Sequence, residues 1–421
     1  MAVVTTDEGR GQKREVYVPP GERSMAHHSY LSPDGQWVLV VEMDSRGDIQ
    51  PCRVIPFQGR GEAQVVGPSN SSCISGAWSP DGKWVYLSAK QTGDKFHIWR
   101  QRFPKGEPEL VTSGPTSQEG IEMAADGKSV ITSVGSQDST VWLHDKGGDH
   151  QISSEGNAAA PSFSSDGNRL YYLMDNGQTV GYELWAKDLA GDKVERLLPG
   201  YSMEDYSVSR DGKEVAFTMK DQSGRSSLWV APSNRRTSPT RISLTAIEDS
   251  PHFLPDGDLV FRAIEGEFNF LYRMKADGTG RRKISSEHIF DVEAVSPDGR
   301  WVVAGAPSPN QEYSDAPKAF AVDGSEAVPL CPGYCLVNWD TGEKFVFLFL
   351  PELHEGSYVL PVLHDTGLPR LPAGGITRIE DLKTMKDATV IPEFAQSAIS
   401  PSIYAYTRHN IRRNLYRIQL P

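Results

Sequence analysis

Residues 29–43 read SYLSPDGQWVLVVEM, and residues 77–89 read AWSPDGKWVYLSA. In each, a Ser-Pro-Asp-Gly quartet divides two apolar runs. Pro33 fixes φ, the Asp34 carboxylate accepts from backbone N–H groups just ahead, and Gly35 takes the positive φ that closes a turn. A strand is therefore expected on either side. With the turn Asp as reference, the word recurs at Asp34, Asp81, Asp126, Asp166, Asp211, Asp256 and Asp298, with a degenerate copy at Asp340, in steps of 47, 45, 40, 45, 45, 42 and 42 residues.

That period, with no 3.6-residue spacing in the intervals, belongs to four-stranded propeller blades rather than helical solenoids. Each unit reads through. An apolar residue three before the Asp closes an inner strand. A β-branched and aromatic run such as WVYLSA or LYYLM supplies the second, and a segment with an aromatic 16–19 residues after the Asp, as at Trp99, Trp142, Trp185 and Trp229, supplies the third. The fourth is short and polar, which suits a rim. The expected fold is a single all-β propeller over 13–421, with blades starting near 27, 72, 118, 158, 203, 248, 289 and 334. A last blade, 393–421, carries the strands IYAYTR and NLYRIQL, and the N-terminal strand at 13–21 completes it, making nine blades, or eight if 334–392 forms none. Residues 1–12 are expected to be disordered, and RIEDLKTM, in the one long insertion, reads as a short helix.

Composition agrees, with 38% apolar residues, 9% aromatics, 39 Gly and 29 Pro. A net charge of −12 argues against a nucleic-acid partner. No run approaches the roughly 20 apolar residues that span a bilayer, and the opening lacks the order of a secretion signal, so the chain as written reads as cytoplasmic. Cys52 with Cys73, and Cys331 with Cys335, are placed either to pair or to remain buried thiols; the sequence leaves both open.

Catalytic signatures are missing: there is no Gly-x-Ser-x-Gly elbow, HExxH or Walker loop. No catalytic residue, metal or cofactor is expected. His27 and His28, adjacent on a strand, should face opposite ways and chelate poorly. His252 reads as a hydrogen-bonded interior histidine. One constellation emerges when the blades are superimposed. Seven residues before the turn Asp stand Glu119, Glu204, Asp249 and Asp291, with Asp205 and Glu248 alongside, and His27 holds the slot in the first blade. Acids about 8 Å apart would repel by about 2 kcal/mol at an effective dielectric near 20. Either water floods that channel mouth or something positive sits there, a cation or a basic or hydroxylated ligand. The plain structural alternative is that each acid caps amides of its own blade.

The SPDGKWVYLSA units resemble the PD40, or WD40-like, repeats of TolB-type propellers. HHSYLSPDGQWVLVVEMD, FHIWRQRFPKGEPELVTSGPT, DSPHFLPDGDLVFRA and NFLYRMKADGTGRRK are similar, more narrowly, to the C-terminal sensor propellers of bacterial transmembrane Ser/Thr kinases of acidobacterial type. That resemblance implies a non-catalytic module that senses a small ligand or binds a protein, a kinase or an envelope protein among the candidates, outside the membrane. The chain lacks the family's HRD and DFG motifs, so no kinase activity carries over. Two further readings stand beside it: a lyase- or glycosidase-like propeller enzyme using the channel-mouth carboxylates, and a TolB-like envelope accessory protein.

Overall fold

The computed structural model describes residues 3–6, 13–19, 25–44, 49–58, 61–91, 95–154, 156–175, 181–191, 193–221, 225–243, 247–266, 268–308, 311–385 and 387–421. The repeated turn forms as its sequence dictates. Ser32 Oγ donates to Asp34 Oδ1 at 2.6 Å, the same oxygen accepts from Gln36 N–H at 3.0 Å, Trp37 N–H donates to Ser32 Oγ at 2.9 Å, and Gly35 has φ 69°. The Ser79, Ser164, Ser209 and Ser296 turns repeat this lock. Each hairpin is thereby held in one register, and antiparallel four-stranded sheets follow one another along the chain. The all-β, multi-bladed expectation holds.

The chain divides into two compact units, 1–137 with 410–421, and 138–409. In the first, Met25–Leu31, Trp37–Met43, Arg53–Pro56 and Gln64–Val65 form one sheet, and Ser71–Trp78, Trp84–Gln91, His97–Arg102 and Pro108–Leu110 the next. Leu39, Val54, Trp78 and Leu87 pack between them. Ser117–Met123 pairs with the start of the long strand Ser129–Asp145, whose other neighbour is the strand Tyr404–Gln419. Ile418 and Leu420 join Tyr86, Ile98 and Val130 in the core of this unit.

In the second unit five sheets follow in order: blade A over 157–196, B over 206–241, C over 248–283, D over 292–329 and E over 336–391. Blade F is assembled from distant parts, Gln396–Ser397 and residues 404–409 on the inside, residues 138–145 and Gly148–Gln151 on the outside. The inner strands of B, C, D, E and F lie side by side in that order, F returns to the inner strand of A, and Tyr206 of B donates to the Ala160 carbonyl of A at 2.7 Å. Among the described residues, six blades thus close into a ring.

Three expectations change. The segment 13–21 does not complete the last blade: Lys13–Tyr17 pairs with Val3–Thr6, and Val16 packs on Val38, Val40 and Ile55, covering the face that a terminal repeat leaves open. Part of the segment expected to be disordered is therefore a strand, while residues 1–2 and 7–12 lie outside the described residues. Second, IYAYTR and NLYRIQL are one unbroken strand, as are the second and third strands of the Asp126 unit. The stretches GSQDS and TRHNI carry no Asn-Gly, Pro or positive-φ Gly to enforce a hairpin. A Cβ at Gly135 would stand 2.8 Å from Arg413 Cα, so the missing side chain admits the neighbouring backbone. Third, because both strands run on, closure of the ring in the second unit is supplied, among the described residues, by 138–151 and not by the N-terminal strand. The insertion holds the expected helix, at Ile379–Lys383.

Candidate functional site

The slot seven residues before the turn Asp falls where the inner strands begin. A β-bulge interrupts several of them there, between Ala159 and Ser162, Asp249 and His252, and Val292 and Ala294. A bulge re-aims side chains, and in blade C it follows directly on Asp249 and in blade D it follows Val292, next to Asp291.

From blade B, Asp205 accepts from Thr218 N–H and from Ser250 N–H of blade C, both at 3.1 Å. Burial, with Asp249 and Glu204 adding to it, pushes its carboxyl up to about 7 against those two donors. Asp249 of blade C is gripped by Arg262 across the hairpin, Nε to Oδ1 at 2.6 Å and Nη2 to Oδ2 at 2.7 Å, with side-chain exposures of 13% for Arg262 and 6% for Asp249. Arg262 also donates to the Phe290 carbonyl of the next blade. Burial works against its charge, yet Asp249, Asp291 and Asp205 outweigh that and hold it protonated.

Blade D brings Asp291, Glu293 and Asp315. Asp291 Oδ1 accepts from Gly305 N–H at 3.0 Å, and Glu293 Oε2 from Val337 N–H of blade E at 2.9 Å. Gly305 is required here, because a Cβ would lie 2.6 Å from Asp291 Oδ1 and 2.8 Å from Asp315 Oδ2. The two carboxylates share the space over its Cα. Among the described residues, Asp315 Oδ1 and Glu293 Oε1 are buried without a hydrogen-bond partner. Burial and then Asp291 push Asp315 up to about 7 and Glu293 well above the usual carboxylate range, and burial raises Asp291 as well. Asp205, Asp249 and Asp291 therefore act on one guanidinium, and Glu293 and Asp315 join the group beside Asp291. Among the described residues no three metal-ligating side chains converge closely enough to share a metal ion.

The remaining candidate residues separate. Glu204 lies beside Asp205 but is tied to Lys220, and Glu248, with no exposure, pairs with Arg281 at 3.2 Å. Glu119 and His27 belong to the first unit, where Glu119 pairs with Arg413. A bulge after Ala26 brings the His27 and His28 rings to 4.2 Å, so the two do not face opposite ways as a regular strand would place them. His252 is an interior imidazole bonded to the Val292 backbone, and burial lowers it to about 4. At the turn end of the same inner strands is a cavity of about 210 Å³ lined by Phe163, Val208, Phe253, Trp339 and Asp340, below the roughly 300–1,000 Å³ of ordinary ligand pockets. Arg210 of blade B spans it to the Pro297 carbonyl of D at 3.0 Å and Glu343 of E at 2.9 Å.

Arg262, Glu293 and Asp315 were missing from the sequence reading. Arg262 had a signal, a lone cation inside the apolar run LVFRA where the other hairpins carry Thr218 or Gly305. Glu293 had one too, an acid inside the inner strand.

No family model matches the chain. Over 147 residues it is 30% identical to an uncharacterized protein of Agrobacterium fabrum, a stretch that is 34% of this chain and 48% of that protein; the chain spans about half the length of the curated relative it matches. It is similar to solved TolB structures. One, from Agrobacterium tumefaciens, matches with TM-score 0.48 and 18% identity over 66% of this chain and 99% of that one. Another, from Acinetobacter baumannii, matches with TM-score 0.30 and 19% identity over 66% and 74%. A chain of a nidogen/laminin complex matches with TM-score 0.41 and 9% identity over 65% and 98%.

Proposed function

We propose that this chain is a non-catalytic binding propeller, TolB-like in kind, whose second unit receives a ligand or a segment of a protein partner at the acidic start of its inner strands. The observation that carries the reading is the imbalance of charge there: three carboxyl groups act on Arg262, Glu293 and Asp315 join them beside Asp291, and two buried oxygens lack a donor among the described residues. A fold has no use for uncompensated acids, which cost stability, so their presence in a rigid ring supports a binding role. The arrangement favours binding over acid/base catalysis because Asp205, Asp249, Asp291 and Glu293 are each already fixed by backbone or guanidinium donors.

Both cysteine pairs are closed, Cys52–Cys73 and Cys331–Cys335. Disulfides persist in oxidising compartments, which supports a place outside the cytoplasm. The finer reading, the sensor of a receptor Ser/Thr kinase, rests on the sequence motifs quoted above; an in-frame kinase and membrane helix in the genomic DNA upstream is the outcome it requires.

The test is a thermal-shift screen of the full chain against neutral, anionic and cationic small molecules and peptides, followed by hydrogen exchange. Binding should protect the Thr218, Ser250, Gly305 and Val337 amides. If no compound of any charge protects them, the reading fails. Thiol titration of unfolded protein exported from a bacterium should find no free thiol.

A further inference from the structure

The five carboxyl groups of the second unit are not equally provided for. Asp249 has Arg262, and Asp205 has two backbone donors. Asp291 and Asp315 instead confront each other over Gly305, and two like charges about 5 Å apart repel by about 3 kcal/mol at an effective dielectric near 20. Asp315 makes no hydrogen bond through its buried Oδ1, and the enclosed Glu293 makes none through Oε1. Both belong to blade D, and Tyr334, 47% exposed, stands beside them with its phenol raised by burial and then by Glu293, Asp291 and Asp315. Arg262 acts on Asp291 from blade C, but its bonds go to Asp249, and among the described residues no cation bonds to Glu293 or Asp315.

We propose that Asp291, Glu293 and Asp315 form a receptor for one organic cation, an alkylammonium or guanidinium group, that enters from solution. Such a group carries several N–H donors on a single charge, enough to offer one to each orphaned oxygen. A divalent metal fits less well, since among the described residues no three ligands converge on a point. The inference rests on the binding reading above and names its ligand class.

Binding is coupled to proton release. Around neutral pH, Asp315 and Asp205 are each partly protonated, and a cation drawn in beside Asp315 expels its proton. The titratable groups that act on the trio are Asp249 and Arg262 from blade C and Tyr334 ahead of blade E.

Agmatine, which carries an amine and a guanidine, is the probe, titrated calorimetrically into the full chain at neutral pH in two buffers of different ionisation heat. Binding with release of about half to one proton is expected, weakened about tenfold or more by Asp291→Asn and by Asp315→Asn and unchanged by the distant, exposed Glu352→Gln. Should a variant unfold, hydrogen exchange on the unaltered protein decides, since agmatine must protect the Gly305 and Val337 amides. A peptide bearing arginine that binds more tightly than agmatine assigns the group to a protein partner, and the reverse order assigns it to a free amine; either supports the inference. No agmatine binding, binding indifferent to both Asn variants, or calcium chloride producing the same protection overturns it. If neutral compounds protect the passage while agmatine does not, the binding reading survives and the cation receptor does not.

Discussion

Arg262→Met removes the guanidinium that, among the described residues, Asp249, Asp291 and Asp205 act on, while keeping most of the side chain's stem. It cuts two bonds to Asp249, at 2.6 and 2.7 Å, and a third to the Phe290 carbonyl, all in a setting where neither partner of the ion pair is more than 13% exposed. Removing one member of a buried pair costs about 3–5 kcal/mol, because the other is left as an uncompensated charge. The lost attraction to Asp205 and Asp291 adds about 1–2 kcal/mol at an effective dielectric near 20. At roughly 2–4 °C per kcal/mol for a unit of this size, the melting temperature at about pH 7.5 should fall by about 10–20 °C. The same variant at about pH 5 should lose only about half as much, since protons on the cluster replace the missing cation. Scanning calorimetry of the full chain at the two pH values measures this. An equal loss at both, or a larger one in acid, would refute the account of Arg262 as the counter-charge of a group of acids.

Other outcomes follow from the same geometry. Burial and then Asp291 push the Asp315 carboxyl up to about 7, above the ordinary aspartate value of about 4, so its contribution to stability is full below about pH 4 and is lost as pH rises through 7. Asp315→Asn should therefore match the parent at about pH 4 and be more stable at pH 8, by about 2–4 kcal/mol after allowance for solvent screening, as read from denaturant midpoints. Gly305→Ala forces a methyl between two carboxylates and should destabilise by about 1–3 kcal/mol in the same assay. Deleting 410–421 removes the Arg413–Glu119 and Arg417–Asp126 pairs and takes Ile418 and Leu420 out of the first unit's core, so hydrogen exchange should quicken over 117–135 and remain unchanged over 206–295.

The blades were legible because their information is local: a Ser, an Asp and a Gly spaced within four residues lock a turn whatever surrounds it, and an apolar run beyond it has little choice but to pair back. Which strand completes which blade was not legible. That choice depends on whether residues 135–139 and 407–411 turn or run straight, and neither stretch holds punctuation that commits it. Of the acids aligned by period, Asp249 and Asp291 do meet, since equivalent positions of a radial repeat face one centre, while Glu204 turns to Lys220 and its neighbour Asp205 joins them instead. Glu248 stands next to Asp249 in sequence yet serves Arg281, a partner 33 residues away that alternation along the strand alone could not name. Asp315 escaped notice because it comes from an outer hairpin with no counterpart in the other repeats. The suspicion that something positive must sit among these acids was sound, and Arg262, from the protein itself, supplies part of it.

Because the strand Tyr404–Gln419 gives its second half to the first unit, vectorial synthesis meets an obstacle there. The segment 3–135 leaves the ribosome early with its third sheet one strand short, and that strand arrives only after all of 138–409 has been translated. The six-blade ring, a continuous segment, can be complete by then. A nascent chain of this kind holds an open sheet edge for the whole interval, and this is the stage at which a chaperone has most to offer it.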